Sequence, residues 1–432
     1  MQPVSPLHAR GVAESIVRRL VEAGHVAYFA GGCVRDELLG REPSDYDVAT
    51  DADPQRVMGL FRNTRLVGKA FGVVPVKLKG VTVEVATFRR ESGYTDKRRP
   101  DRVEFCNAEG DAGRRDFTIN ALFIDPLDHA GPRGAYGRVI DYVGGLDDLK
   151  RGVLRAVGDP DARLSEDHLR ALRAVRFTAR LGFELDQGTA SAIRRHALEL
   201  AGVSRERIGD ELRAMLSHPR RSEAARLMQS LGLDVPVLAE TASVGDVPAL
   251  ELVDRLPVRA SFPGGLAAWT LDRLALRHGV PSTQLRPEVI QETVPAAVIR
   301  LRAALVLSNA ERDELRGTLS GLPRLEVDWD TLGVAAQKRS AASNWFAAAI
   351  ELVRARSGHI AERVLARVDE LSRTPSGLAP EPLVNGDHLI GAGMRPGPAF
   401  GPWLDRLYDL QLEDRLSSRE EGVRLVKGWA AE

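Results

Sequence analysis

Two carboxylates separated by one residue, in Ser44-Asp45-Tyr46-Asp47, are the sharpest chemical feature of this chain. On an extended segment alternate side chains share a face, so Asp45 and Asp47 point to the same side. Upstream lie Gly31-Gly32 and Val34-Arg35-Asp36, where a strand-like segment turns into a short helix that ends at Gly40. Mg²⁺ takes hard oxygen ligands and is ordinarily held by one or two carboxylates, with a substrate's phosphates completing its shell. Glycine lets backbone N–H groups approach those phosphates with no Cβ between. Arg35, at the start of the helix, is placed to reach a phosphate brought to that terminus. Singly, an Asp-x-Asp is common on surface turns and a Gly-Gly before a helix is equally ordinary. Together they form the donor set of metal-assisted nucleotidyl transfer.

The elements around them decide whether that set assembles. Residues 7–24 read as an amphipathic helix, with Ala9, Val12, Ile16, Leu20 and Val21 near helical spacing, and Val26 to Ala30 as a short strand entering the Gly-Gly turn. Thr50-Asp51-Ala52-Asp53-Pro54 starts a second helix. Leu66 to Leu78 and Val81 to Phe88 read as a hairpin turning at Lys79-Gly80, in which Val81, Val83 and Val85 alternate with Thr82, Glu84 and Ala86. Glu84 therefore points away from the valine face. It joins Asp45 and Asp47 if the hairpin pairs beside their strand, and faces solvent if it does not. Arg89 to Arg102 reads as a polar, mobile loop. The segment from Arg114 to Leu122 begins with charge and passes into an apolar strand ending at Asp125-Pro126. Within it Arg115 can donate to a phosphate, and Asp116 and Asn120 offer hydrogen bonds to ribose hydroxyls. A turn-rich connector from Asp141 to Gly158 ends this part, and the pattern beyond is predominantly helical, broken near Asp234–Val247, Pro281–Pro287, Gly321–Trp329 and Thr374–Pro382.

The second signal is Ser165 to Phe177. Asp167, Arg170, Arg173 and Arg176 recur every third residue on a predicted helix, each rotated about 60° from the last. Asp167 and Arg170 can share one target; Arg176 cannot. Adenine and cytosine each present an exocyclic amino donor beside a ring-nitrogen acceptor. A carboxylate accepting from the first and a guanidinium donating to the second would fit ATP and CTP alike. GTP and UTP would leave buried polar groups facing their own kind.

In order and spacing these stretches resemble the polymerase-β-like nucleotidyltransferases, specifically the class II tRNA nucleotidyltransferase and bacterial poly(A) polymerase family. The likeness is dense from about Tyr28 to Leu216, thin until Asn385, and returns over Gly386-Asp387-His388-Leu389-Ile390 and Gly391 to Gly401. It implies an α+β fold: a nucleotidyltransferase head with a small mixed sheet (1–150), then an all-helical neck (151–216), body (217–320) and tail (321–432). It further implies template-independent addition of CMP and AMP, from CTP and ATP, to build CCA at a tRNA 3′ end. Asp45 and Asp47, aided by Glu84, would hold two Mg²⁺ ions. Gly31, Gly32, Arg35, Arg115, Asp116 and Asn120 would bind the nucleotide, Asp167 and Arg170 fall on the family's base-reading Glu-Asp-x-x-Arg, and Arg173 and Arg176 match arginines at the triphosphate or bracing the helix. Ser204 to Leu212 resembles the helix that supports that motif, with Arg207 and Glu211 read as a structural i,i+4 pair. One departure stands out: the family often has Asp-Leu before the paired arginines, and this chain has Asp111-Ala112-Gly113.

Family members build the whole CCA end, add only CC, add only A, or make poly(A). The run Arg90 to Asp96 with Arg98-Arg99-Pro100 is complete, which argues against CC addition alone, whereas an A-adding enzyme would carry the same motifs. A non-catalytic RNA-binding protein on the same fold is the reading from another class, and the intact Asp45, Asp47, Glu84, Asp167 and Arg170 argue against it. Composition bounds the rest. At 432 residues the chain suggests several domains, and 60 basic against 60 acidic residues leaves a basic face to be hidden in a balanced total. Two cysteines are too few and too isolated for a structural zinc site or disulfide framework, nine histidines are scattered, and no apolar run spans a membrane, so a cytoplasmic protein is expected.

Overall fold

The computed structural model describes residues 6–64, 72–93, 102–128, 137–241 and 250–431. The chain forms two compact units, Met1–Met215 with Leu227–Ser243, and Leu216–Arg226 with Val244–Glu432.

The first unit is built on a mixed sheet. Its strands are β1 (Ala27–Ala30), β2 (Asp47–Thr50), β3 (Val73–Leu78), β4 (Val81–Thr87), and, after a ribbon of β5 (Arg89–Ser92) and β6 (Arg102–Phe105), β7 (Phe123–Asp125) and β8 (Arg138–Ile140). The order across the sheet is β3-β4-β2-β1-β7-β8. Only β2 and β4 run parallel; the other neighbours are antiparallel. The hairpin forms as its alternation predicts, with Lys79 and Gly80 both at positive φ, as a tight two-residue turn requires. Residues 65–71, which include the expected start of its first strand, lie outside the described residues.

Helix α1 (Pro6–Glu22) buries Val12, Ile16 and Leu20 against β1 and β2. Phe29 faces this helix, with the Arg10 guanidinium 5.4 Å from its ring centroid. Tyr28 and Ala30 therefore face the other way, into a cluster where Phe88 and Phe123 meet edge to face at 6.0 Å. Burying each of those rings contributes about 2 kcal/mol. Helices α2 (Gly32–Leu38) and α3 (Pro54–Leu60, capped by Asp53) complete the first half, and α4 (Ala108–Gly113) and α5 (Gly145–Arg151) the second. Beyond them come α6 (Pro160–Glu166), α7 (Leu169–Leu181), α8 (Gln187–His196) and α9 (Arg205–Leu216).

Two expectations are corrected here. Arg89–Ser92 is no loop but pairs with Arg102–Phe105, because β5 continues the path of β4 after Phe88, which is buried in the core; residues 94–101 lie outside the described residues. The connector from Asp141 to Gly158 contains α5, since the Asp141 carboxylate accepts from the N–H groups of Val143, Gly144, Gly145 and Leu146 and so starts a helix.

The second unit is helical. Trp269 and Trp329 are fully buried in it. Helix Asn309–Pro323 places Gly317 and Gly321 on one face, and a Cβ at either would sit 2.3–2.4 Å from the Trp345 indole, so only glycine admits that ring. The expected break at Gly321–Trp329 is instead a π-helical turn, Arg324–Asp328, because Leu325 carries the buried stripe of Leu319 and Leu322 onward. Near the C-terminus Val384, Leu389, Leu407, Leu416 and Val426 form a separate core. No helix among the described residues is long and apolar enough to cross a membrane.

Candidate active site

Strand register assembles the carboxylates. Ala30 lies opposite Asp47 on one side of β2, and Glu84 lies opposite Asp47 on the other. Residues directly opposite one another in a sheet share a face, so the hairpin brings Glu84, itself exposed, to the same face as the aspartate. Asp45, two residues earlier, is exposed at the strand's entry. The Asp47 carboxyl is pushed up to about 6, first by burial, then by the charges of Asp45 and Glu84, with Arg115 opposing. Among the described residues none of the three makes an ion pair, and only the Ser44 hydroxyl donates to Asp45, at 3.2 Å. Crowded hard-oxygen donors with unbalanced charge are the setting a divalent cation stabilises.

Beside them, the chain turns at Gly31 with φ +77° and ψ −127°. A Cβ there would also lie 3.0 Å from Arg115 Nη1, so both backbone and space demand glycine. Gly32 is less constrained: a methyl would be 3.7 Å from Arg35 Nη2, an ordinary contact. Arg35 is buried, donates through Nη1 to Asn120 Oδ1 at 2.6 Å, and pairs with Asp36 at 2.8 Å. Arg115 donates to the Asn120 carbonyl at 3.0 Å and to Asp111 at 2.9 Å. Asn120 Nδ2 in turn donates to Asp116 Oδ1 at 3.1 Å, and Arg173 grips the other Asp116 oxygen through Nε and Nη2 at 2.8 and 2.7 Å. Burial would raise the Asp116 carboxyl, but Arg173 and these hydrogen bonds outweigh it and hold it below the usual range. The segment Thr118–Asn120 is a 3₁₀ turn preceding β7, not the strand itself, and that turn presents Asn120 to Arg35.

The sequence did not mark Asp111 as a working residue. It is 1% exposed and holds both Arg114, at 2.7 Å, and Arg115. Burial alone would raise its carboxyl, yet the two guanidiniums lower it. Its signal was present in the i,i+3 and i,i+4 spacing of Asp111 to Arg114 and Arg115. An open cleft of ≈ 460 Å³ lies alongside, lined by Arg90, Gly110, Gly113, Arg114, Arg163 and Glu166.

The expected continuous helix over Ser165–Phe177 is corrected. It breaks at Asp167, with φ −150° and ψ 104°, between α6 and α7. The Asp167 carboxylate itself causes the restart, Oδ1 accepting from Leu169 N at 3.1 Å, so the 60° rotation does not carry from Asp167 to the arginines. Its other oxygen accepts from Arg207 Nη2 at 2.5 Å. Arg170 donates through Nη1 to Glu166 at 2.5 Å and to the Arg163 carbonyl at 2.6 Å. Arg176 pairs with Glu211 at 2.7 Å, and its guanidinium lies 4.5 Å from the Phe177 centroid. Arg207 and Glu211 thus reach across to the α6–α7 segment and do not form the expected pair within α9, because each neutralises a part-buried charge opposite it. Arg163 and Glu166 carry no role of their own in the sequence reading, and Arg207 is expected only as a pair within α9; the roles of all three come through their contacts with Asp167 and Arg170.

The sequence profile described as "Poly A polymerase head domain" matches residues 27–155, and "Probable RNA and SrmB- binding site of polymerase A" matches 182–243. A CCA-adding enzyme of Limosilactobacillus fermentum is 34% identical over 410 residues, covering 94% of this chain and 93% of that protein. One from Geobacillus thermodenitrificans is 43% identical over 231 residues, 53% of this chain and 55% of that protein. Among solved structures, the Bacillus stearothermophilus CCA-adding enzyme in complex with CTP superimposes with a TM-score of 0.70 at 30% identity, over 100% of this chain and 99% of that one.

Proposed function

From the premise that the chain belongs to the CCA-adding enzymes, a family of tRNA nucleotidyltransferases, we propose that it builds the CCA end of tRNA from CTP and ATP without a template. The observation that carries the chemistry is the β2–β4 register, which sets Glu84 against Asp47 beside Asp45. Asp45 and Asp47, with Glu84, would hold Mg²⁺. Bound there, the metal supplies positive charge to the attacking oxygen and to the phosphates. The tRNA 3′-hydroxyl loses its proton to solvent as its oxygen forms a bond to the α-phosphorus, the bond from that phosphorus to the α–β bridging oxygen breaks, and pyrophosphate leaves.

The chain's own residues place the reactants. Gly31 and Gly32 open the turn to the triphosphate. Arg35 and Arg115 flank that turn, tied through Asn120, and Asp116 braced by Arg173 fixes Asn120 for the ribose. Asp167 accepts from the amino group of cytosine or adenine and Arg170 donates to the adjacent ring nitrogen. Arg207 and Glu166 hold these two side chains in place beforehand, so less freedom is lost when the base enters. The fourfold division into head, neck, body and tail at 150, 216 and 320 is retained as part of this reading, with tRNA carried by the helical remainder.

The test is incorporation. Transcripts of tRNA ending at the discriminator base, after C and after CC are each offered labelled CTP or ATP with Mg²⁺. Extension of all three to a finished CCA end is the expected result. Addition of A to the CC-ending transcript alone would restrict the enzyme to the terminal step. No incorporation with tRNA still bound would favour a non-catalytic RNA-binding protein.

A further inference from the structure

Away from the sheet carboxylates, His168, His196 and Glu199 converge from separate elements. His168 stands between Asp167 and α7, His196 ends α8, and Glu199 follows one turn later in the 3₁₀ segment Ala197–Gly202. Glu199 Oε2 lies 3.0 Å from His168 Nε2, and Glu199 Oε1 lies 3.2 Å from His196 Nδ1. One donor atom from each residue falls within 4.8 Å of the other two. A tetrahedral zinc ion with ligands at about 2.0–2.1 Å sets neighbouring donors about 3.3 Å apart. Each imidazole therefore already lies about one such edge from an oxygen of the same carboxylate, His168 from Oε2 and His196 from Oε1.

A second observation comes from the far side of His196. Its Nε2 lies 3.1 Å from Asp161 Oδ1, and Arg195 holds the same carboxylate through Nε at 3.0 Å and Nη2 at 2.5 Å. This is the outer carboxylate that orients a metal-ligating imidazole, accepting a hydrogen bond from Nε2–H and leaving the Nδ1 lone pair to face the ion. In that neutral tautomer the lone pair faces a carboxylate oxygen at 3.2 Å, two acceptors with no proton between. A cation between them resolves the conflict. Its protein-only rival is a doubly protonated His196.

We propose that His168, His196 and Glu199 bind one divalent transition metal of the zinc class, with Asp161 as the outer carboxylate. Two imidazoles and a carboxylate are borderline donors suited to Zn²⁺ over Mg²⁺. Glu199 is 41% exposed while His168 is 2% exposed, so the fourth position opens to water beside the glutamate. Because His168 follows Asp167 directly, the ion fixes the turn between α6 and α7 to the end of α8. The binding does not depend on the nucleotide chemistry above.

For the test, the full chain carries Asp45→Asn and Asp47→Asn, so that the sheet carboxylates do not compete. It is stripped with chelator, then titrated with Zn²⁺ by calorimetry and with Co²⁺ by visible spectroscopy. One Zn²⁺ per chain and tetrahedral Co²⁺ bands are expected. Both are lost in His196→Gln and in Glu199→Gln, the second a conservative change of a part-exposed side chain, and affinity falls about tenfold in Asp161→Asn. Absence of one-to-one binding in the parent, or binding unchanged in both His196→Gln and Glu199→Gln, overturns the proposal.

Discussion

Two groups of acids in the first unit differ in how their charge is met. Asp111, Asp116 and Asp167 each have an arginine supplied by the chain, at 2.9 Å or less. Asp45, Asp47 and Glu84 have none among the described residues, and Asp47, raised first by burial and then by the charges of the other two, reaches about 6. A buried carboxylate left without a partner is costly, so the first group is finished by folding and the second is finished by what binds. Under the proposed function, arginines preset the first group, and a metal would meet the charge of the second.

Asp47→Asn breaks the second group most sharply. Incorporation should fall by about 10³-fold or more, measured in single turnover, while the fold persists. Stability should move the other way in metal-free protein. The Asp47 carboxyl is raised above its unfolded value of 3.8, so the stability it confers is full below about pH 4 and lost as pH rises through about 6. Above pH 6 the asparagine variant should therefore be more stable by about 2 kcal/mol, a gain that vanishes below pH 4 in urea melts. A variant destabilised at pH 8 would contradict the assignment.

Arg173→Met breaks the first group. It strands a buried Asp116 and should cost about 3–5 kcal/mol of stability. Asp116 is held low in the native protein, so this penalty is present above the ordinary aspartate range and shrinks as pH falls through the native value. Equal penalties at pH 3 and pH 7 would show that lost packing, not charge, is responsible. Gly31→Ala strains a positive φ and crowds Arg115; about 1–2 kcal/mol and a tenfold loss of rate are expected, against no rate change if the turn only connects. Arg207→Ala should alter stability by less than about 1 kcal/mol. It should nonetheless weaken discrimination of CTP and ATP from GTP and UTP, because Asp167 loses its fixed orientation; unchanged discrimination would remove Arg207 from the base-reading machinery.

The same contrast explains what could be read in advance. Asp45 and Asp47 follow from local pattern, since period-two alternation sets them on one face, and the hairpin turn fixes Glu84's face within its strand; that this strand lies beside β2 needed the fold. Gly31 is legible for a similar reason. The arginine partners are not, because Arg207 to Asp167 spans 40 residues and Arg173 to Asp116 spans 57, and no spacing rule connects them. The break at Asp167 was missed because a threefold repeat of charge mimics one helix, while the carboxylate's bond to Leu169 N starts a new one. Apolar packing in the second unit was legible only as helical periodicity; the glycine slot for Trp345 needed the fold.

One titration reaches the centre of this account. The carboxyl carbon of Asp47, isotopically labelled and followed by NMR from pH 3 to 9, should ionise near 6 in metal-free protein, with the midpoint falling when saturating Mg²⁺ is added. An Asp47 that titrates near 4 without metal, or whose midpoint Mg²⁺ does not move, would mean that its charge is already met within the chain and that the three carboxylates are not the cation site.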